Sequence, residues 1–443
     1  MSTESYYVAV IGAGPAGMFA ARELARNGVK VAIFNRDIKP GGLAEYGIYP
    51  DKLAMKQGLR TQFYQALETP GLNYFGNVTV GNQSDLTVDD LRSLGFQAIL
   101  VTAGAQGTKW LSLPGEHLKG VYHAKGLVYH YNQLPPYSNE QFRFGKRAAV
   151  VGAGNVMLDI ARYLIQRIKV DEVIAVVRRG PAEIKFDKKE MEYVIANLDQ
   201  RALDEEIARV APIMKSVGQD AEAAKSVILE ALPKSQATSS LTRFRFEFLV
   251  SPVQILSDQT DSVTGLEVED NSLAIKDGVI KARGTGNKRV LQVDSVIFAI
   301  GDKVDDAFGL PTAGSEFVKN LQPRFPIEGI SYEAFDPETS QPILDVFYAG
   351  WSRQASTGLV GYARKDGTNG AKAVLQYLQT LQPGVPDDGL LQARLKKLNK
   401  PIVTQQDVRK LVEIESNEAK KRGVESFKFD SNEEMLERIM SVG

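Results

Sequence analysis

Two glycine-rich segments hold the residues best suited to binding a phosphate-bearing cofactor. They are Gly12-Ala13-Gly14-Pro15-Ala16-Gly17 and Gly152-Ala153-Gly154-Asn155-Val156-Met157. In such a turn the first glycine permits a tight bend, the second lets a pyrophosphate approach the backbone, and the third lets the helix pack closely on its strand. The helix that follows offers free N–H groups to the phosphates. The pattern therefore predicts two dinucleotide-binding turns in one chain.

The second segment departs from this pattern, and the residues after it predict which nucleotide it binds. Met157 stands where a third small residue is usual, so we expect this helix to lie further from its strand. Arg178 and Arg179 follow the next strand, at the place where an acidic residue would bind ribose hydroxyls. Two guanidinium groups suit a 2′-phosphate, which favours NADP over NAD. The alternative is an arginine pair that is merely solvated.

The first segment lacks the usual acidic residue at the end of its second strand. Asn35 stands there, with Asp37 two residues further on. An asparagine can still accept a hydrogen bond from a ribose hydroxyl, although it carries no charge. We therefore expect Asn35 to contact the first dinucleotide.

The composition excludes several kinds of chemistry. The 443 residues contain no cysteine, which excludes disulfides, thiolate-bound iron–sulfur clusters and cysteine nucleophiles. The histidines, His117, His123 and His130, lack the spacing of a helical zinc site. A net charge of −1 provides no general field for nucleic acid. No apolar run could span a bilayer, so a cytoplasmic protein is expected, although a removed transit peptide would leave no trace.

The elements around the two turns follow the order strand, glycine turn, helix, strand. The first copy is predicted at residues 6–11, 15–27 and 29–34, and the second at 147–152, 156–168 and 172–177. Shorter apolar strands at 98–104 and 295–301 each close with a glycine. The predicted fold class is α/β, with two Rossmann-like doubly wound dinucleotide-binding domains.

The remaining segments have weaker patterns. Helical spacing predicts helices within 200–240, and residues 243–300 are predicted as strands, with KDGV (276–279) and GTGN (284–287) as turn signals. A strand at 345–351 precedes a helix that ends near Leu381. The tail, 390–443, is predicted to be helical, and the apolar stripe in EEMLERIM should lie on the body of the protein.

Further motifs occur in order along nearly the whole chain. They are GLAEYGIYPDK (42–52), YFGNVTVG (74–81), TAGAQ (102–106), LPGE (113–116), RRGPAEIKFDKKE (178–190), YAGWSRQASTGLVG (348–361) and GVESFKFDSNEEMLERI (423–439). With the glycine turns, this series resembles the adrenodoxin-reductase type of ferredoxin–NADP⁺ reductase, a relative of the glutathione-reductase superfamily. The resemblance implies an FAD-binding domain at 1–106 and 322–443, interrupted by an NADP-binding domain at 107–321.

The resemblance also implies binding residues for each nucleotide. FAD would be bound by Gly12, Gly14, Pro15, Ala16, Gly17, Asn35, Gly42, Leu43, Ala103, Gly104, Gly350, Trp351, Thr357, Gly358 and Leu359. NADP would be bound by Gly152, Gly154, Asn155, Val156, Arg178, Arg179 and Glu190. The residues implied in catalysis are Trp351, Glu190 and Lys52.

Some of these positions differ from the family or have plainer interpretations. Lys52 stands where the family has a histidine, and Tyr193 stands where it has a carboxylate, so a proton relay through this pair is not expected. Hydride transfer needs only that the two rings be held close together. Trp351 could also be a core aromatic residue, and Glu190 a solvated one.

The function implied is an NADPH-dependent flavoprotein reductase of a small acidic electron carrier, a ferredoxin or a flavodoxin-like protein. Such a carrier should dock on basic residues by charge attraction. The candidates are Lys52, Lys56, Arg60, Arg353, Arg364 and Lys365. The alternatives are a flavin monooxygenase or oxidase, and a non-catalytic NADP-binding flavoprotein subunit. The sequence predicts no oligomeric state.

Overall fold

The computed structural model describes residues 5–355 and 360–441 of the chain, which divides into two compact units. Unit 1 consists of Met1–Thr108, Tyr129–Asn139 and Gly301–Gly443, and unit 2 of Lys109–Val128 and Glu140–Ile300.

Residues 107–108 and two longer segments, 129–139 and 301–321, belong to unit 1 and not to the unit expected. Phe317 stacks on Tyr348 with ring centroids 5.0 Å apart, and Leu134 packs against Tyr46, so apolar contacts hold both segments there. The assignment of one nucleotide to each unit stays a prediction.

The strands and helices follow the predicted alternation. The strands are β1 (Tyr7–Ile11), β2 (Lys30–Asn35), β3 (Leu72–Gly76), β4 (Ala98–Val101), β5 (Gly107–Thr108), β6 (Val121–His123), β7 (Arg147–Val151), β8 (Glu172–Val177), β9 (Arg243–Phe248), β10 (Val250–Ser257), β11 (Val263–Lys276), β12 (Val279–Leu291), β13 (Ser295–Phe298), β14 (Asp302–Lys303), β15 (Thr312–Ala313), β16 (Glu316–Phe317), β17 (Glu333–Asp336) and β18 (Gln341–Tyr348). The helices are α1 (Pro15–Arg26), α2 (Leu43–Tyr46), α3 (Leu53–Leu67), α4 (Val88–Ser93), α5 (Ala124–Tyr131), α6 (Asn155–Tyr163), α7 (Lys188–Met191), α8 (Gln200–Lys215), α9 (Ala221–Leu229), α10 (Val360–Leu378), α11 (Asp388–Lys396), α12 (Gln405–Arg422) and α13 (Asn432–Met440).

The sheet of unit 1 has the strand order β17-β18-β4-β1-β2-β3, in which β17 alone runs antiparallel to its neighbour. Every residue of β1 is buried, because the sheet is covered on both faces. Val8 and Val10 pack into the core beneath α1 and α10, while Tyr7 and Ile11 pack into the core on the opposite face. The order of connection reverses between β1 and β4, and ligands bind at such a switch point in open α/β sheets.

The sheet of unit 2 repeats this plan with the parallel order β6-β13-β7-β8-β9. Its switch point lies between β7 and β13. The helix predicted at 156–168 is divided into α6 and a wider π-helical turn at Leu164–Ile168.

A three-stranded antiparallel sheet, β10-β11-β12, contains both predicted turns of this region. KDGV forms the hairpin turn, with positive φ angles at Asp277 and Gly278. GTGN does not form a turn, and that prediction was wrong. These residues lie inside β12, where a register shift opposite Glu269–Asn271 makes a bulge that takes the positive φ of Gly286.

The C-terminal helices pack on unit 1 as predicted, since Met435 and Ile439 of α13 are buried in the core beneath α1. Among the helices in 5–355 and 360–441, none is long and apolar enough to cross a membrane. The same residues contain no cluster of side chains that could hold a metal ion.

Candidate functional site

Three neighbouring strands of unit 1 end side by side, and each is followed by residues predicted to bind FAD. Ile11 of β1 lies opposite Val101 of β4, which lies opposite Tyr348 of β18. The chain therefore places Gly12, Thr102–Gly104 and Gly350 at one edge of the sheet. This register explains how residues far apart in sequence form one site.

The first glycine turn has the shape that a pyrophosphate requires. Gly12 has φ +101°, and a Cβ there would lie 2.7 Å from the Thr102 carbonyl oxygen. A Cβ on Gly17 would lie 1.9 Å from the Gly12 oxygen, so only glycine lets α1 approach the strand so closely. Gly14 faces open space, and the N-terminus of α1 has no side-chain cap. Open space beside uncapped N–H groups fits a dinucleotide phosphate.

The side chain of Asn35 supports this turn through hydrogen bonds. Its Oδ1 accepts a hydrogen bond from the Ala13 N–H at 2.9 Å, and its Nδ2 donates to the Lys39 oxygen at 3.1 Å. Asn35 is buried, with 7 % of its surface exposed. Its contact with a ribose stays a prediction, whereas its hydrogen bonds explain why an amide occupies the position.

The loop after β2 lies directly on the glycine turn. The Gly41 N–H donates to the Ala13 oxygen at 2.8 Å. Gly42 has φ +49°, and a Cβ on it would lie 3.1 Å from the Gly14 Cα. Leu43 begins α2 and is half-buried. The structure thus brings Gly42 and Leu43 to the predicted FAD site.

A buried aspartate that the sequence did not single out holds Gly350. Asp366 of α10 accepts a hydrogen bond from the Gly350 N–H at 2.6 Å and one from the Tyr332 hydroxyl at 3.1 Å. It also pairs with Arg353 at 2.6 Å. Burial would lower the pKa of Arg353, but the hydrogen bonds and charge of Asp366 raise it. An aspartate in a helical segment gives no sequence signal that its partners are buried.

The other residues of this segment have mixed outcomes. Ser352 is fully buried, and its Oγ accepts a hydrogen bond from the Gly104 N–H at 2.9 Å. Trp351 is half-buried. A Cβ on Gly350 would lie 2.6 Å from the Ala16 Cβ, so this glycine packs on the start of α1. Thr357, Gly358 and Leu359 lie outside the described residues.

The predicted docking residues do not form one exposed patch. Lys56 is 3 % exposed and Arg353 is 7 % exposed, so both were wrong as surface candidates. Arg60 is bound to Glu45, with its Nε 2.6 Å from the carboxylate. Of the remaining candidates, Lys52 is half-buried, and Arg364 and Lys365 are exposed. Burial of a charged residue depends on its tertiary partners, which local sequence does not reveal.

The second glycine turn, in unit 2, is similarly open. Gly152 has φ +154°, and a Cβ on it would lie 2.4 Å from the Ala299 oxygen. Gly154 faces open space, and α6 begins without a side-chain cap. Met157 is fully buried in the place of the third glycine, and Val156 is 41 % exposed. This turn therefore also fits a dinucleotide phosphate.

The side chain of Asn155 is engaged within the protein. Its Nδ2 donates to the Asp187 carboxylate at 2.7 Å, and its Oδ1 accepts from the Asp187 N–H at 2.7 Å. The Lys185 N–H also donates to the Ala153 oxygen at 2.8 Å. Segment 185–187 is thus fixed to the second glycine turn. Asn155 positions this turn, and its contact with NADP stays a prediction.

Both arginines after β8 have fixed backbones. The Arg178 oxygen accepts a hydrogen bond from Asn271 Nδ2 at 2.9 Å, and the Arg179 oxygen accepts from the Leu249 N–H at 3.2 Å. The Arg178 side chain is exposed and forms no ion pair among the residues that the structure describes. Arg179 lies 3.7 Å from Glu183. A phosphate could therefore bind at Arg178 without displacing a carboxylate.

Lys52, Glu190 and Tyr193 lie on or beside helices of the two units. Glu190 lies in α7 and is half-buried, while Lys52 occupies the N-cap position of α3 without a capping hydrogen bond from its side chain. Tyr193 packs its ring 3.8 Å from the Arg162 guanidinium. The residue in the place of the family's carboxylate thus makes a cation–π contact.

Comparison with known proteins supports the interpretation drawn from the two glycine turns. The profile described as "Pyridine nucleotide-disulphide oxidoreductase" matches residues 6–322. The chain belongs to that family. The predicted α/β fold class and the resemblance drawn from the motifs are confirmed. The sequence has no cysteine, so these 443 residues of a pyridine nucleotide-disulphide oxidoreductase hold no redox-active disulfide of their own.

Individual members of the family match most of the chain. It is 28 % identical over 407 residues to the mitochondrial NADPH:adrenodoxin oxidoreductase of Salvelinus fontinalis, covering 83 % of this chain and 77 % of the relative. It is 28 % identical over 429 residues to NADPH-ferredoxin reductase FprA of Mycobacterium tuberculosis, covering 86 % of this chain and 85 % of the relative. The solved structure of Mycobacterium tuberculosis FprA in complex with NADPH has a TM-score of 0.80 at 25 % identity, covering 98 % of this chain and 100 % of that chain.

Proposed function

We propose that this chain is an NADPH-dependent FAD flavoprotein reductase that passes single electrons to a ferredoxin-type carrier. The observation that carries the proposal is the pair of open glycine turns, one in each unit, each followed by an uncapped helix N-terminus. Both relatives described above are named as NADPH-dependent reductases of such carriers. Bound FAD would accept two electrons as hydride and release them singly, which no side chain of this protein can do.

The residues of unit 1 would bind and orient the FAD. The N–H groups at the start of α1 would receive its pyrophosphate, while Gly14 and Gly42 leave room for it. Asp366 holds the Gly350 backbone in place at the end of β18. The protein thus supplies position rather than acid–base chemistry, as hydride transfer requires.

The residues of unit 2 would select the coenzyme. Arg178 is exposed, is free of ion pairs among the described residues, and follows the strand next to the second glycine turn. A 2′-phosphate would gain a charge-assisted hydrogen bond there that a 2′-hydroxyl would not. NADPH is therefore the reductant that we propose.

The carrier would dock on three arginines of unit 1, which are Arg22, Arg26 and Arg364. Arg22 and Arg364 lie 5.1 and 4.7 Å from the centre of the Phe19 ring, on α1 and α10. Burial lowers the pKa of Arg22, and the positive charges of Arg26 and Arg364 lower it further, so the three cations lie close together. Within the described part of the chain none of them forms an ion pair. Glu23 opposes this lowering of the Arg22 pKa, and an acidic protein surface would add further negative charge.

The relatives bear on the location of the protein. Its relatives include an oxidoreductase that is named as mitochondrial and the FprA of a bacterium, Mycobacterium tuberculosis. We propose the cytoplasm, as the sequence predicted.

The experiment is to purify the protein, record its visible spectrum, and measure NADPH-driven cytochrome c reduction with and without an acidic ferredoxin. We expect a yellow protein whose cytochrome c reduction depends on ferredoxin. Rapid NADPH consumption by oxygen, unchanged by ferredoxin, would instead support an oxidase.

A further inference from the structure

A cluster of buried charges lies behind the loop that touches the first glycine turn. Its carboxylates are Glu45 and Glu415, and its basic side chains are Lys39, Lys56, Arg60 and Lys428. Apart from Arg60, each of these residues is less than 10 % exposed. Because charged groups are rarely buried without a role in structure or function, the arrangement calls for an explanation.

Glu45, on α2, is the centre of the cluster. Its carboxylate lies 2.8 Å from Lys428 Nζ and 3.8 Å from Lys39 Nζ, and it accepts two hydrogen bonds from Arg60, at 2.6 and 2.7 Å. Burial alone would raise the pKa of Glu45, but the three cations hold it well below its usual range. The side chain is therefore ionised and joins residues from separate segments.

Lys428 brings the C-terminal segment into this cluster. Its Nζ also donates to the Glu45 carbonyl oxygen at 3.1 Å and lies 4.9 Å from the centre of the Tyr46 ring. A second link is parallel to it: Glu415 of α12 pairs with Lys39 at 2.6 Å and accepts from the Phe429 N–H at 3.3 Å. Lys428 is thus fixed directly to Glu45, and Phe429 is linked through Glu415 to Lys39 at the other end of the segment 39–45.

The same loop packs against the first glycine turn. The backbone carbonyl oxygen of Lys39 accepts a hydrogen bond from Asn35 Nδ2, and Asn35 Oδ1 accepts one from the Ala13 N–H. Between Lys39 and Glu45, Gly42 lies against Gly14. The segment that carries Lys39 and Glu45 therefore also contacts the dinucleotide turn directly.

We propose that Lys428 and Glu45 are positioning residues for the FAD of unit 1. This ion pair joins the C-terminal segment to residues 39–45 and keeps them packed against the glycine turn. It thereby determines how tightly, and in which orientation, FAD is held. The inference rests on the proposed function, because it takes FAD to be the dinucleotide of unit 1.

The substitution that tests this is Lys428→Met. The cluster has four basic side chains and two carboxylates, and Glu45 keeps Arg60 and Lys39 as partners, so the variant should fold. The second variant, Lys428→Arg, keeps the positive charge and should restore most of the wild-type behaviour. Lys421→Met is the control, because Lys421 is exposed and its ion pair with Glu418 lies within the same helix, α12.

The measurements are the rate of FAD release from the purified holoenzyme, followed by flavin fluorescence, and the visible circular dichroism of the bound flavin. We expect Lys428→Met to release FAD about tenfold faster with an altered dichroism spectrum, and Lys421→Met to match wild type. Binding of 2′,5′-ADP to unit 2 should be unchanged in all variants and serves as the test of folding. If Lys428→Met does not fold, Lys428→Gln takes its place.

Two results would overturn the inference. A wild-type protein that holds FAD, with Lys428→Met showing the same release rate and dichroism, would leave the proposed function standing and remove the positioning role. A wild-type protein that binds no flavin would remove both.

Discussion

The Asp366 carboxylate accepts a hydrogen bond from the Gly350 N–H at 2.6 Å and also pairs with Arg353 at 2.6 Å. One buried side chain thus fixes the backbone at the end of β18 and neutralises the Arg353 cation, which forms no other ion pair among the described residues. Gly350 needs this support because it has φ +65° and packs on Ala16.

Replacing Asp366 with Asn should destabilise the protein strongly. The Arg353 guanidinium would stay buried without its counter-ion, a change that costs about 3 to 5 kcal/mol. Urea unfolding at neutral pH measures the loss. The control is Glu328→Gln, which breaks the exposed ion pair between Glu328 and Lys365. Lys365 precedes Asp366 on α10, and this loss should cost less than about 1 kcal/mol. Equal losses in the two variants would contradict the importance of burial.

Replacing Arg178 with Gln should weaken the preference for NADPH. Loss of a charge-assisted hydrogen bond to a 2′-phosphate, worth about 1.5 to 3 kcal/mol, should raise the KM for NADPH about 10- to 100-fold while the KM for NADH changes little. Steady-state kinetics with both coenzymes measure this. Arg201→Gln is the matched control, because Arg201 is an exposed arginine of unit 2 paired with Glu205. A parallel rise in both KM values would mean that Arg178 does not contact the 2′-phosphate.

Reversing the charge of Arg26 and Arg364 should slow electron transfer to an acidic ferredoxin. The double variant Arg26→Glu/Arg364→Glu loses the attraction that steers the carrier, so its second-order rate constant should fall about tenfold at low salt. The difference from wild type should shrink as salt screens the charges. Reduction of ferricyanide by NADPH should stay near the wild-type rate. A carrier reaction insensitive to both the substitutions and salt would place docking elsewhere.

Stability should depend on pH through Lys56. Burial and the nearby charge of Lys428 lower the pKa of Lys56 to about 7, whereas an unfolded lysine has a pKa of about 10.4. Between these values the unfolded state binds more protons, so the free energy of unfolding should rise with pH by up to about 1.4 kcal/mol per pH unit.

The variant Lys56→Met tests this dependence, since it removes the titrating amine that donates to Asn132. Urea unfolding at pH 7, 8 and 9 should give a shallower rise for Lys56→Met than for wild type. Parallel pH profiles in the two proteins would show that Lys56 is not responsible.

The sequence predicted the parts of the site that depend on local pattern. Gly12 and Gly152 were found because a glycine turn between an apolar strand and a helix has a local signature. Asp366 and the burial of Lys56 were not found, because they depend on the register and packing of distant segments. The segment GTGN was misassigned because a bulge within a strand and a hairpin turn use the same residues.

The central claim is that NADPH delivers hydride to an FAD held in this chain. Anaerobic titration of the purified protein with NADPH, followed by the visible absorbance of the flavin, tests it most directly. We expect the flavin absorbance to bleach at about one equivalent of NADPH and to return when an oxidised ferredoxin is added. A flavin that stays oxidised in excess NADPH, or a protein that contains no flavin, would contradict the account.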